Sequence, residues 1–410
     1  MHLHISTSLF RAVGLCAILF LLASCQSKPT EIPVIDLDHP QGSIDIKLSD
    51  ILDNITIVPL ETRDDVLLTA AAHIVVSDHY ILAGTRTKLF QFDRTGTYLR
   101  TLAHRGNGPN EFNTLANILV DDRNDLVYYT DNFKDPSLVY RINLKTGAFL
   151  TPITMELTSV TMHTIDREGY IIGYPLTIGL PAGGMYIGPR DQKAKNFSTL
   201  MFAYHPDNKH LKIVESHDAF SSIMSWEQTM LSYQDQLLFY HLGYSDTLYR
   251  YDGSRLVPQV VLKFQNHFSD LINGGNYLSF SAFYTGGICI SIHYLEKMEE
   301  YHVHTTGKTI NRVFLNTAHQ IQTIGSVTID PLSLNLNFSE SQEIPVPINP
   351  LPKVTGQWGF LCTESYTMIE LINTALINNH LTPLQHSTLK DVAAQIDDYS
   401  NPVLIIGKVK

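Results

Sequence analysis

The chain of 410 residues has few cysteines and none of the common catalytic signatures. Its four cysteines lie at positions 16, 25, 289 and 362, with no CxxC pair among them. That removes a thiolate zinc site. Neither HExxH, nor GxSxG, nor a complete GxxxxGK[ST] appears. Zincin, α/β-hydrolase and P-loop chemistry therefore have no support in the residues. No lysine/arginine run stands out and the net charge is −11, so nucleic acid is not an expected partner. No apolar run reaches the roughly 20 residues that a spanning helix needs. What is present, 44 % hydrophobic and 17 % charged residues, is the composition of a globular chain.

The N-terminus carries its own signal. Arg11 precedes AVGLCAILFLLAS, Ala12–Ser24, which is too short for a membrane span and fits a secretory h-region. It ends in Leu22-Ala23-Ser24-Cys25, which resembles the lipobox of bacterial lipoproteins. The resemblance implies a signal peptide over 1–24 and an acylated Cys25 that places membrane lipid among the partners. A tether over 25–50 then leads to the folded domain, 51–410. Gln26 stands where an inner-membrane lipoprotein often has Asp, so the outer membrane is the implied location, its periplasmic or outer side left open.

A repeat runs through the rest. Alternating apolar residues flank a Gly, Asn or Asp turn in LFQFDRTGTYL (Leu89–Leu99), VYRINLKTGAFL (Val139–Leu150) and MFAYHPDNKHL (Met201–Leu211). The same pattern returns in LYRYDGSRLV (Leu248–Val257) and YHVHTTGKTI (Tyr301–Ile310). This is hairpin chemistry. Another strand pair precedes each hairpin, and Ile74, Ile118 and Met162 recur every 44 residues. Four strands per unit describe a propeller blade. A sixth pair, Lys353–Tyr366, is followed by two helical patterns, Met368/Leu371/Ile372/Leu376 and Leu389/Val392/Ala393/Ile396. Ile55–Leu60 and Val403–Val409 are left as the strands that close the ring. The expected fold is all-β, a six-bladed β-propeller with a short helical insertion near the C-terminus.

These residues, IVPLETRDDVLL, FDRTGTYLRTLAHRGNGPNEF and NPVLIIGKVK, resemble the six-bladed β-propeller lipoproteins of Bacteroidetes, akin to NHL-repeat proteins. Most of that family has no assigned activity. The resemblance implies fold and location more than function; a rigid ring whose loops can vary makes a cell-envelope binding module for a glycan, peptide or protein the expected role, with no cofactor. Two alternatives stand beside it: a metal-assisted lyase or hydrolase at the central channel, and a structural partner in an outer-membrane complex.

Candidate site residues follow from position. NHL-type amidating lyases hold a metal on histidines from several blades, which singles out His163, His241 and His293. His302 and His304 occupy the repeating polar face of a strand. Tyr174, Tyr186 and Tyr284 are expected in long or glycine-rich loops, where they would line a ligand-binding face. Asp246-Thr247-Leu248 resembles the short acceptor motif for O-glycosylation at Thr247. The glycine-rich AHRGNGPNEF, Ala103–Phe112, reads as the hinge between the first two blades, with Glu111 paired to Arg105 and Phe112 plugging the gap. Asp121–Asp125 reads as a hairpin turn. Cys289 and Cys362, each in an apolar strand, read as separately buried thiols, with one disulfide as the alternative.

Overall fold

The structure is a computed structural model and describes residues 31–175, 199–215, 228–233, 236–241, 246–264, 275–284, 287–295, 307–316, 318–329, 334–336, 353–377 and 381–410. Val34–Lys410 form one compact unit. Four-stranded antiparallel sheets follow one another in a six-bladed propeller. Blade 1 holds β4 (His73–Val76), β5 (Tyr80–Gly84), β6 (Lys88–Asp93) and β7 (Tyr98–His104). Blade 2 holds β8 (Asn117–Asp121), β9 (Leu126–Thr130), β10 (Leu138–Asn143) and β11 (Phe149–Thr154). Blade 3 holds β12 (Val160–Ile165), β13 (Ile171–Pro175), β14 (Thr199–His205) and β15 (His210–Glu215). Blade 4 comprises β16 (Gln228–Tyr233), β17 (Gln236–His241), β18 (Thr247–Tyr251) and β19 (Leu256–Lys263). Blade 5 comprises β20 (Gly275–Tyr284), β21 (Gly287–Leu295), β22 (Gly307–Asn316) and β23 (Ile321–Ile329), with β24 (Leu334–Leu336) on its edge.

Blade 6 closes the ring. It joins β25 (Lys353–Thr355), β26 (Trp358–Thr363) and the C-terminal β27 (Val403–Val409) to β3 (Leu52–Pro59) from the other end of the chain. The register runs from Val403 opposite Pro59 to Val409 opposite Leu52, with a bulge near Gly407. Asn54 takes positive φ there, and a Cβ on Gly407 would lie 2.9 Å from the Asp53 carbonyl. The expected closing strands are thus both in one blade.

Alternation buries each sheet on both faces, because every blade packs between two others. Between blades 6 and 1, Val58, Phe360, Leu404 and Ile406 pack with Ile74, Ile81, Phe90 and Phe92. The turns repeat in register as well. The Asp78 amide donates to Asp122 at 3.0 Å, and Arg123 Nη1 donates to the Arg167 carbonyl at 3.1 Å, each across 44 residues. Asp78 in turn accepts from Trp358 Nε1 at 2.7 Å, and the Arg94 guanidinium lies 4.0 Å from the Trp358 ring. The last blade meets the first through the kind of contact that joins the others.

The helical insertion lies between β26 and β27. After a single turn α1 (Leu48–Ile51) near the N-terminus come α2 (Ser365–Ile377) and α3 (Pro383–Ala393). Thr382 caps α3. Its Oγ1 accepts from the Gln385 amide at 3.2 Å, Gln385 Oε1 accepts from the Thr382 amide at 2.8 Å, and Pro383 opens the first turn. Met368, Ile372, Leu389 and Val392 form one core with Cys289 and Phe314 of blade 5 and Val403 and Ile405 of blade 6. Ile396 lies beyond the helical residues but packs on the same core.

Three expectations are corrected. Part of the tether read over 25–50 is folded: β1 (Val34–Asp36) pairs parallel with β19, and β2 (Ser43–Lys47) pairs parallel with β23. These segments occupy the outer edges of blades 4 and 5, where bare strands leave unpaired backbone groups. The fifth hairpin is not centred on Thr305–Gly307; β22 begins at Gly307 and turns through Asn316–Gln320. There Asn316 Oδ1 accepts from the Ala318 and Gln320 amides, and His319 takes positive φ. Glu111 pairs with His104, at 2.8 Å, and not with Arg105. Other readings hold. Asp121 Oδ1 accepts from the Arg123 amide in a turn, and Cys289 and Cys362 are thiols in different blades.

Gly96, at φ +89°, presses on the seam: a Cβ there would lie 2.1 Å from the Pro59 carbonyl of β3. Gly253, at φ +96°, has open space around it. Both Gly→Ala changes carry backbone strain of about 1 kcal/mol. Gly96→Ala is expected to lose at least ~1 kcal/mol more than Gly253→Ala in urea unfolding, because backbone cannot yield as a flexible side chain does. Equal losses would mean that the seam contact is not made.

Candidate functional site

Strand order divides the connections into two sets. Those joining the first strand of a blade to the second, and the third to the fourth, are two to five residues long. They include 77–79, 94–97, 122–125 and 252–255, and mark the turn end of the sheets. The second-to-third and blade-to-blade connections leave from the opposite, connection end. They include 60–72, 105–116, 176–198, 330–352 and the 364–402 segment that carries α2 and α3. Long connections on a rigid scaffold are where binding residues collect.

Surface chemistry follows the same division. Exposed large apolar side chains outside the strands and the N-terminal segment are Leu67, Phe133, Tyr366, Ile377, Leu384 and Tyr399 among the described residues. All six lie in connections of the connection end. The described residues of these connections contain 13 carboxylates and five lysines or arginines.

The hinge AHRGNGPNEF is part of this end. Phe112 is fully buried between blades 1 and 2, against Leu89, Leu102, Ile118 and Tyr129. The Gly106 amide donates to the Phe112 carbonyl at 2.9 Å and the Phe112 amide to His104 at 3.2 Å, which folds the loop on itself. Glu111 turns inward and accepts from the Gly108 amide at 2.6 Å. That bond, more than His104, lowers its pKa. A Cβ on Gly106 would stand 2.0 Å from the Glu111 carboxylate, so close approach and not positive φ explains the glycine. Lys134 Nζ donates to the Gly108 and Glu111 carbonyls and ties the hinge to the 131–137 connection. No backbone amides converge here on an open anion site, because the loop's own carboxylate takes the Gly108 amide.

The root of that connection is polar and buried. Asp131 accepts from the Asn113, Phe133 and Lys134 amides. Beside it Tyr129 Oη, Thr130 Oγ1 and Asn132 Oδ1 are buried without a protein hydrogen-bond partner. Three such atoms in four residues are unusual in a folded chain. Tyr129 stacks on Tyr140 with ring centroids 5.0 Å apart, and burial raises both phenol pKa values.

A second cluster lies where the first blade meets the last. Asn401, buried just before β27, holds the 60–72 connection. Its Nδ2 donates to the Glu61 and Val66 carbonyls at 2.8 Å each, and its Oδ1 accepts from the Leu68 amide at 2.8 Å. Its own amide donates to Thr62 Oγ1 at 2.7 Å.

The residues singled out from the sequence are scattered over this frame. His163 is the bulged residue of β12, His241 ends β17, and His293 lies on β21, in three successive blades. The side chains of His241 and His293, and all of His302, His304 and Tyr186, lie outside the described residues. No three His, Cys, Asp or Glu side chains group as metal ligands among the described residues. Tyr174 lies at the connection end of β13, half-buried, its phenol pushed up to about 12 by burial. Tyr284 ends β20 at the turn end, so these two tyrosines do not share a site. Thr247 opens β18 and is half-buried. No described helix is long and apolar enough to cross a membrane. Phe133, Asn132 and Asn401 were not legible as site residues; only the Asn401-Pro402 pair marked a turn.

Comparisons agree with the architecture. A family model described as a domain of unknown function, DUF4934, matches residues 32–408. A putative exported protein from Bacteroides fragilis NCTC 9343 is similar in structure, with a TM-score of 0.54 at 12 % identity, over 92 % of this chain and 99 % of that one. A member of the DUF4221 family from Bacteroides vulgatus ATCC 8482 has a TM-score of 0.44 at 10 % identity, over 88 % and 97 %. No curated protein matches the chain.

Burial pushes the His163 pKa down from 6.5 to about 4, so the native imidazole is neutral at pH 5. Between those values the unfolded chain binds a proton that the native chain does not. Stability therefore falls as pH drops from about 6.5 toward 4, by on the order of 1–3 kcal/mol from this group. Urea unfolding at pH 7 and pH 5 is expected to show a smaller difference in His163→Gln than in the native chain. An unchanged difference would mean that His163 titrates normally.

Proposed function

The chain belongs to the DUF4934 family, and on that footing we propose that it is a lipid-anchored binding module of the cell envelope. The ligand sits at the connection end of a rigid propeller. The division of the surface carries this reading: the long connections, the exposed Leu67, Phe133, Tyr366 and Tyr399, and the buried polar atoms of 129–132 belong to one end. The turns at the other end are short, and several of them join neighbouring blades. A propeller suits such a role because its connections vary without disturbing the inter-blade cores. The lipobox-like Leu22–Cys25 supports acylation at Cys25 and an outer-membrane location, with the lipid as a membrane partner.

Two measurements test this. Hydrogen exchange on the full chain, with ligands taken from a glycan and peptide binding screen, is expected to show protection in 60–72, 131–137 and 364–402. Protection confined to 94–97, 122–125 and 252–255 would overturn the assignment. The anchor is tested separately by palmitate labelling in cells, which the Cys25→Ala change is expected to abolish. Retained label would contradict acylation at that residue.

A further inference from the structure

Around Asn401 the connection end becomes a preformed surface. The bonds from Asn401 fix 60–72 against 397–402. Ser365 Oγ donates to the Ser400 carbonyl at 2.9 Å, and the Ala70 amide donates to Glu364 Oε1 at 2.7 Å, which adds the start of α2 to the same unit. Val66 is fully buried below it. From this held backbone three large apolar side chains stand in solvent: Leu67 at 64 %, Tyr366 at 53 % and Tyr399 at 91 % exposure. Each is within two residues of a hub bond. None belongs to a sheet interior, and each costs solvation without contributing to a core.

The charge around them is mainly negative, although Lys88 Nζ, from β6, donates to the Asp65 carbonyl at 3.0 Å. Segments 60–72, 364–370 and 397–402 contain seven carboxylates and one basic residue, Arg63. Arg63 is committed, with Nε 3.2 Å from Asp65 and Nη1 3.8 Å from Glu61. The other partners are neutral: Glu364 accepts from a backbone amide, and Asp397 accepts from the Ser400 hydroxyl and the Tyr399 amide. Neutral donors hold carboxylates in their charged form without cancelling the charge. Asp64 and Asp398 are exposed.

We infer that this surface, formed by Leu67, Tyr366 and Tyr399 on segments rich in carboxylates, docks a basic polypeptide segment that carries apolar side chains. The inference rests on the binding-module reading and names its ligand class. Complementarity selects the occupant. Anionic lipid and nucleic acid are repelled by the surplus negative charge. A neutral glycan would stack on the tyrosines but gain nothing from the field. A basic, apolar segment uses both features: steering by charge, and burial of Leu67, Tyr366 and Tyr399 on contact. Because the hub already orders the backbone, little further ordering opposes binding.

The test uses the full chain in detergent and a synthetic peptide of lysine, leucine and tyrosine, about 15 residues long. The peptide is expected to bind, and more weakly as salt shortens the Debye length from about 10 Å to about 3 Å. Leu67→Ser/Tyr399→Ser is expected to weaken binding about tenfold or more, and Asp64→Asn/Asp398→Asn about threefold. All four positions are exposed, so unfolding midpoints should stay unchanged and confirm folded variants. The inference is overturned if a glutamate version of the peptide or a neutral oligosaccharide binds as tightly. It is also overturned if the variants bind the basic peptide like the native chain. In either of these cases, protection elsewhere at the connection end would leave the binding-module reading standing. Protection only at the turn end would sink both.

Discussion

The pairing of β3 with β27 is the constraint on which the rest depends. A propeller of separate antiparallel sheets has no covalent closure, so its first and last blades must be joined by something other than sequence order. Here the outer strand of the last blade is drawn from near the N-terminus, and its ladder to β27 converts an open arc into a ring. Once the ring is closed, Val58, Leu404 and Ile406 are covered by blade 1, and Gly96 can seat on Pro59. Backbone pairing alone contributes little net energy; the cores it brings together contribute more, at about 25 cal/mol per Å² of apolar surface buried. Loss of the ladder therefore threatens the seam core as well as six residue pairs.

The same closure positions the surface proposed to bind. Asn401 stands two residues before β27 and Glu61 two residues after β3, so the strands that shut the ring also deliver both halves of the hub. Fixing 60–72 in this way orders a loop that would otherwise have to be ordered by its ligand. The 131–137 connection is fixed by different means, with Lys134 and Asp131 grasping the hinge between blades 1 and 2. Both clusters place polar bonds beneath and apolar side chains above, a layering suited to recognition. The turn end differs in that some of its side chains hold neighbouring blades, as Asp78 does with Trp358.

Much of the fold was legible because propeller strands announce themselves locally. The 44-residue spacing of Ile74, Ile118 and Met162 marks equivalent inner-strand positions, and each Gly or Asn turn is a short-range signal. The helices were legible from Met368 and Ile372, which share a face. Segments Val34–Asp36 and Ser43–Lys47 were not, because a parallel pairing with a strand more than two hundred residues away leaves no turn between partners to read. Blade 5 misled through Thr305–Gly307, whose turn chemistry matches the true hairpin at Asn316–Gln320. Glu111 was assigned the wrong partner because Arg105 is nearer in charge, while His104 is nearer in the folded loop. The site was the least legible part. Asn401 acts on residues more than 330 positions away, and no spacing rule reaches that far.

One ladder between the two ends of the chain closes the ring. Site-resolved hydrogen exchange on the native protein tests it most directly. Amides of Val58 and Leu404, which face each other across the ladder, should be as strongly protected as those of Leu82 in β5 and Tyr129 in β9, and all should open in one cooperative transition. Fast exchange at Val58 and Leu404, with blades 1 and 2 still protected, would contradict it.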